Sequence, residues 1–283
     1  MSKSKPRYWV EYLFLIPFVG FLSVFELYPL VNMALRSVVE TGGGSVSFQY
    51  YANILSQPHY RMAVRNSLFF ATACSLVGGI GGTFVGYIVP RLPGRYRSLL
   101  LSLYSLPMTL SGLVVAFAFI VLLGRNGVLN LIVQRLLGLP RDVYFDVYSW
   151  PGLVVVYAFY QIPLMTLTMA AVFGNLDRSL IEAARNLGAR PLQVWRYVII
   201  PNLAPGFVAG MSIQFAGMMG AFGTVLALVG GARNLLSVQI YYHISESTYN
   251  LPQAAALSVV LVSIIAGVLT LLNLFEKALR PGG

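Results

Sequence analysis

Glu182, Ala183, Ala184, Gly188 and Pro201 bring a carboxylate, two methyl-sized side chains and two helix-punctuating residues into one stretch between two apolar runs, a set suited to contact with another protein rather than to covalent chemistry. Asp177 or Ser179 can cap a first helix, whose apolar positions Leu180, Ala183, Ala184 and Leu187 recur at helical spacing. Gly188 stands where that helix needs a left-handed C-terminal residue, and Pro191 suits the first turn of a second helix. The second helix presents Val194, Trp195 and Val198 and is expected to stop near Pro201. The pattern predicts a helix–glycine–helix elbow, a compact knob that can seat in a groove on another protein.

A second group suits contact with a passing solute. Gly217, Gly220 and Gly223 stand three apart in an apolar run and weaken a helix there. Helices broken at mid-depth are how membrane transporters expose backbone polar groups to a solute. Gln214, Met218, Gly220, Phe222 and Thr224 lie along this run, and the family resemblance given below implies a pathway role for them; Ser105 and Thr109, around Pro107 and Ser111, look like a second kinked, polar-lined stretch. For these last hydroxyls, a proline kink with bonds back to their own helix is an equal reading. Gly78, Gly82 and Gly86 stand four apart and read as a close helix contact.

Covalent chemistry finds no footing. The single cysteine, Cys74, lies in an apolar run, and His59 and His243 are too far apart in sequence to argue a metal. Lys3, Lys5 and Lys277 are the only lysines, and none follows a glycine, so the chain has no phosphate-cradling P-loop. Only Glu11 and Glu26 place a charge inside an apolar run, which leaves little for ion coupling. A secondary carrier or channel acting alone is the rival reading. An intramembrane enzyme lacks any convergent catalytic set.

The elements that hold these residues follow from composition. Of 283 residues 57% are hydrophobic and 10% charged, with a mean hydropathy of +0.74. Soluble domains carry about 25% charged residues, so this surface faces lipid. A span needs roughly 20 helical residues, and six runs qualify: Trp9 to Leu35, Asn66 to Val89, Ser98 to Leu123, Trp150 to Phe173, Ala204 to Val229 and Pro252 to Phe275. The first is too long for a cleaved signal. The net charge of +10 sits mostly just outside the runs, which favours a basic cytoplasmic face over nucleic-acid binding. Lys3, Lys5, Arg7, Arg91, Arg95, Arg97, Arg178, Arg185, Arg190, Arg196, Lys277 and Arg280 all fall on one set of connections. Both termini are thus expected inside, with a single domain over residues 1–283 and a cytoplasmic loop at about 174–203. Segments 39–65 and 125–149 read as short amphipathic helices on the outer side, against the membrane or a soluble partner.

The loop resembles the "EAA" signature of binding-protein-dependent ABC importer permeases. Glu182-Ala183-Ala184, Gly188 and Pro201 match it, and Val198 and Ile200 are conservative replacements. The resemblance implies the all-α, six-span type I importer fold, with both termini in the cytoplasm of a bacterial inner membrane. It implies a non-catalytic permease subunit whose elbow docks into an ATPase. Two such ATPases, a second homologous permease or a copy, and a periplasmic or surface-anchored substrate-binding protein would be its partners, beside membrane lipid. No cofactor is expected of this chain, since ATP and Mg would be held by the ATPase. The stretch Leu235–Ala256 is similar to polyamine, phosphonate and ferric-ion importer permeases, which implies a small solute.

Overall fold

The computed structural model describes residues 8–40, 45–245 and 249–279, with side chains over residues 15–40, 45–245 and 249–278. The expected basic residues Lys3, Lys5, Arg7 and Arg280 and the Gly42–Gly44 tract lie outside the described residues, as does the side chain of Glu11. In chain order the helices are α1 (Tyr8–Leu22), α2 (Tyr28–Arg36), α3 (Gln49–Ser56), α4 (Pro58–Ile88), α5 (Gly94–Thr109), α6 (Gly112–Leu123) and α7 (Val128–Leu137). Then follow α8 (Trp150–Gly174), α9 (Arg178–Asn186), α10 (Pro191–Val194), α11 (Ile200–Met219), α12 (Gly223–Val229), α13 (Leu236–Ile244) and α14 (Leu251–Leu279). A π-turn, Ser23–Leu27, joins α1 to α2, and another, Trp195–Ile199, joins α10 to α11.

Among the described residues, six helical runs are long and apolar enough to cross a bilayer: Leu15–Arg36, Pro58–Arg91, Gly112–Leu137, Trp150–Gly174, Pro191–Met219 and Leu251–Ala278. No residue of the first run's most apolar window is buried. The number agrees with the sequence reading, but two of the expected spans are interrupted. Ser98–Leu123 is two helices: α5 ends at Thr109, two residues after Pro107, and Leu110 and Ser111 are extended. Ser111 then caps α6, its hydroxyl accepting from Val114 N–H at 3.4 Å. Ala204–Val229 is likewise divided: α11 ends at Met219 and α12 begins at Gly223.

The chain groups into two compact units, residues 1–61 with 239–262, and residues 62–238 with 263–283. In the first, α3 buries Tyr50 and Ile54, and Gln253 Nε2 donates to the Tyr50 carbonyl at 3.4 Å. Tyr60 Oη and His243 Nε2 share a hydrogen bond of 2.8 Å, with the His59 ring beside Tyr60.

In the second unit α8 is central, packed by α4, α5 and α11. Gly78, Gly82 and Gly86 meet Gln161, Met165 and Met169, which are also four apart. A methyl at Gly78 would stand 2.5 Å from Gln161 Cβ, and one at Gly86 2.8 Å from Met169 Cβ. Only glycine admits so close an approach, as small-residue stripes do in lipid. The short α7 is inside out: Asn130 and Gln134 point inward, while Leu129, Ile132, Val133, Leu136 and Leu137 are exposed. Asn130 Nδ2 donates to the carbonyls of Leu123, Gly124 and Phe145 at 2.9–3.0 Å, and its Oδ1 accepts from Phe145 N–H. Gln134 Nε2 donates to Val143 O at 3.0 Å. Side-chain amides thus satisfy backbone groups that lipid could not.

Candidate functional site

The elbow forms as the residues between 177 and 199 dictate. Asp177 caps α9, its Oδ1 accepting from Ser179 N–H at 2.8 Å. That bond holds the exposed Asp177 carboxyl below the ordinary carboxylate range. At the other end Gly188 has φ +83°. Gly188 N–H donates to Arg185 O at 2.9 Å and Ala189 N–H to Ala184 O at 3.1 Å, the paired bonds that close a helix through a left-handed glycine. Pro191 opens α10 as expected, and Arg190 N–H donates to Gln193 Oε1 at 2.7 Å.

One expectation fails here, for the second helix does not stop near Pro201. The Ile200 N–H reaches back five residues to Trp195 O, and this π-turn carries the chain directly into α11. Pro201 therefore stands just after the π-turn inside a continuous helical run, where its missing N–H leaves one carbonyl of the preceding turn without an intrahelical donor.

The elbow has an inner and an outer face. Val194 and Ile199 are buried with Met165, Met169 and Leu203, and Ile181, Ala184, Ala189 and Val198 pack against them. Glu182 and Ala183 face outward. Leu187 and Leu192 are 88% and 79% exposed, and Tyr197 stands beside them. Ala184, Leu187, Gly188, Gln193 and Tyr197 line a notch of about 330 Å³. A leucine that exposed at the tip of an elbow covers nothing in its own chain.

Between α8, α6 and the α11–α12 break lies a second concavity of about 380 Å³. Met218, Ala221, Phe222 and Thr224 line it, with Tyr157 and Tyr160 from α8 and Gly112 from α6. Thr224 Oγ1 stands where a Cβ at Gly112 would lie, so the starts of α6 and α12 touch. No side chain on this lining carries a fixed charge.

The sequence candidates are distributed unevenly over this geometry. Met218, Phe222 and Thr224 are brought together on the cleft. Gly220 lies exposed in the break, with 3.8 Å of room around a hypothetical Cβ. Gln214 is buried one turn below the cleft: its Nε2 donates to Gln161 O at 2.5 Å, and Gln161 Nε2 returns a bond to Gln214 O at 3.4 Å. Ser105 and Thr109 hydroxyls donate to Ser102 O and Leu106 O of their own helix, at 2.7 and 2.8 Å. Ser105 lines a separate hollow with Arg97 and Ser102. Sequence reasoning missed Tyr157, Tyr160 and Gln161. Their spacing places three polar side chains on one helical face of an otherwise apolar span, a signal that was readable.

Comparison with known proteins agrees with this geometry. Residues 78–282 match the family described as "Binding-protein-dependent transport system inner membrane component". The chain is 28% identical over 249 residues to the sulfate transport system permease protein CysT of Salmonella typhimurium, covering 86% of this chain and 84% of that one. It is 30% identical over 255 residues to the spermidine/putrescine transport system permease protein PotB of Haemophilus influenzae, covering 87% of each. A chain of a bacterial alginate ABC transporter, solved in complex with an alginate-bound periplasmic protein, superposes with a TM-score of 0.76 at 17% identity, over 98% of this chain and 97% of that one. Chains of this kind are multi-pass inner-membrane permeases that work with an ATPase and a substrate-binding protein and are not themselves catalytic. With the family match reaching from the glycine ladder of α4 to the end of the chain, over six apolar helical runs, this chain belongs to the binding-protein-dependent inner membrane components, the permease subunits of ABC importers.

Proposed function

We propose that the elbow spanning α9 and α10 is the element through which this permease is driven by ATP hydrolysis in a separate subunit. Two ATPases, holding ATP and Mg, would engage two elbows, one from this chain and one from a second homologous permease or a copy. A substrate-binding protein delivers the solute to the opposite face. Glu182 supplies the charge-assisted bond, Ala183 and Ala184 allow close approach, Gly188 sets the angle, and Pro201 starts the helix that carries the motion inward. The observation that carries this reading is the outer face of the elbow, with Glu182 outward and Leu187 and Leu192 almost fully exposed. Movement of the elbow passes through the π-turn into α11, whose far end is the break at 220–222. The cleft at that break, with Met218, Gly220, Phe222 and Thr224, is the proposed solute path. Gln214 below it, and Ser105 and Thr109 on α5, are the outlying members of that assignment. The solute is a small molecule of the polyamine or phosphonate kind, in line with relatives named for spermidine, putrescine and sulfate.

The test is a Glu182→Ala, Gly188→Ala double substitution in the reconstituted importer. Membrane insertion and capture of the loaded binding protein should persist, while ATPase pull-down weakens and substrate-stimulated hydrolysis is lost. Full stimulation in the double variant would remove the elbow from the coupling path.

A further inference from the structure

We propose that a groove at the cytoplasmic end of the second unit binds an anionic phospholipid taken from the surrounding bilayer. The groove has a volume of about 840 Å³ and runs between α4, α8, α11 and α14. All its lining residues lie within the membrane-crossing runs, and Thr83 is the only one with an aliphatic hydroxyl. From Leu76 to Tyr87 its α4 wall spans twelve residues, about 16 Å of helix, a length to lay an acyl chain along rather than to hold a compact solute. Hydrocarbon is the solvent at that depth, so an acyl chain fills the groove at no cost in desolvation.

The end of the groove identifies the headgroup. Tyr87 forms its limit, with the rings of Phe173 and Trp195 at 5.3 and 5.6 Å. Amphipathic rings of this kind sit at the level of the lipid headgroups. The Arg91 guanidinium lies over the Tyr87 ring, 3.5 Å from its centroid. Lys277 follows Phe275 by two residues and is exposed, with Glu276 beside it in sequence, while the Arg196 guanidinium turns over the Tyr197 ring, 5.7 Å from its centroid. Aromatic rings and the Arg91 guanidinium at this end of the groove suit a phosphate, as basic sites between helices on the cytoplasmic side bind anionic headgroups. A lipid seated there touches Trp195 and Ile200, at either end of the π-turn that joins the elbow to α11. It would brace that joint from outside.

The experiment places p-benzoylphenylalanine at Phe84, an exposed groove residue, in the complete importer in vesicles of phosphatidylcholine and phosphatidylglycerol at 3:1. After illumination, the adducts on this chain are identified by mass spectrometry. Phosphatidylglycerol should be enriched over its bulk ratio by about fivefold for each arginine engaged. Arg91→Gln should return the adducts to the bulk ratio, while copurification of the ATPase and the loaded binding protein shows the complex to be assembled. Adducts to polypeptide, whether a partner permease or this chain's first span, overturn the proposal. So do lipid adducts at the bulk ratio in the unmodified groove, or no lipid adduct at all.

Discussion

Gly188 has φ +83°, yet nothing in its own chain lies within 4 Å of where a Cβ would stand. Replacing it therefore costs backbone strain alone, about 1 kcal/mol or more for most residues and less for asparagine, which visits the left-handed region readily. This separates conformation from contact. If the glycine serves only to aim α10, coupled hydrolysis should fall in the order Gly188, Asn, Ala, Val. A ranking by side-chain size, with asparagine as damaging as valine, would point instead to a partner pressed against that surface. Asp177 acts at the other end of the same helix. Because its carboxyl is held below the ordinary value of about 3.9, the cap's contribution is present above that pH and lost as pH falls through the lowered value. The elbow is thus fixed across the physiological range.

Among the elements, the two broken helices and the inside-out α7 carry the argument. A Cβ at Gly220 meets nothing closer than 3.8 Å in its own chain, so Gly220→Leu should leave the complex assembled and its binding protein engaged while solute uptake stops. Loss of the complex would make Gly220 a packing residue and dissociate it from the path. For α7, Asn130→Ala strands carbonyls that lipid cannot satisfy, at about 1–3 kcal/mol. The expected readout is proteolysis at 138–147 in the variant at concentrations that leave the parent intact. These elements also mark where the sequence was readable. Three evenly spaced glycines announced the break in α11, and Gly188 with Pro191 announced the elbow. The division of the third span was harder: Leu110 is ordinary in a helix, and its extended backbone goes with the Ser111 cap that opens α6 just ahead of it. The α10–α11 continuity was hidden because a π-turn has no residue signature. Tyr157 and Tyr160 were legible only together with Gln161, as one polar face of α8, because a single tyrosine in a span reads equally as packing.

At the scale of the whole molecule, the orientation can be checked by labelling. Cys74 is buried and should give no background, while Asn126 and Asn186 are exposed. With both termini inside, an impermeant thiol reagent should reach Asn126→Cys in intact cells and Asn186→Cys only after lysis. Labelling of position 186 from outside would invert the topology and place the elbow away from any ATPase. On the proposed reading, a chain so oriented would present the notch at Gly188 to the ATPase side and the cleft at Phe222 to the solute.

The glycine ladder of α4 against α8 bears on temperature. Two helices that meet inside hydrocarbon gain nothing from releasing water, so their contact rests on dispersion between closely fitted atoms rather than on the entropy of solvation. Such a contact does not weaken on cooling as a water-driven core does. The α4–α8 seam should hold through a chill that loosens the elbow's grip on its soluble partner, so that cold would disengage the motor from the permease before it disturbs the permease itself.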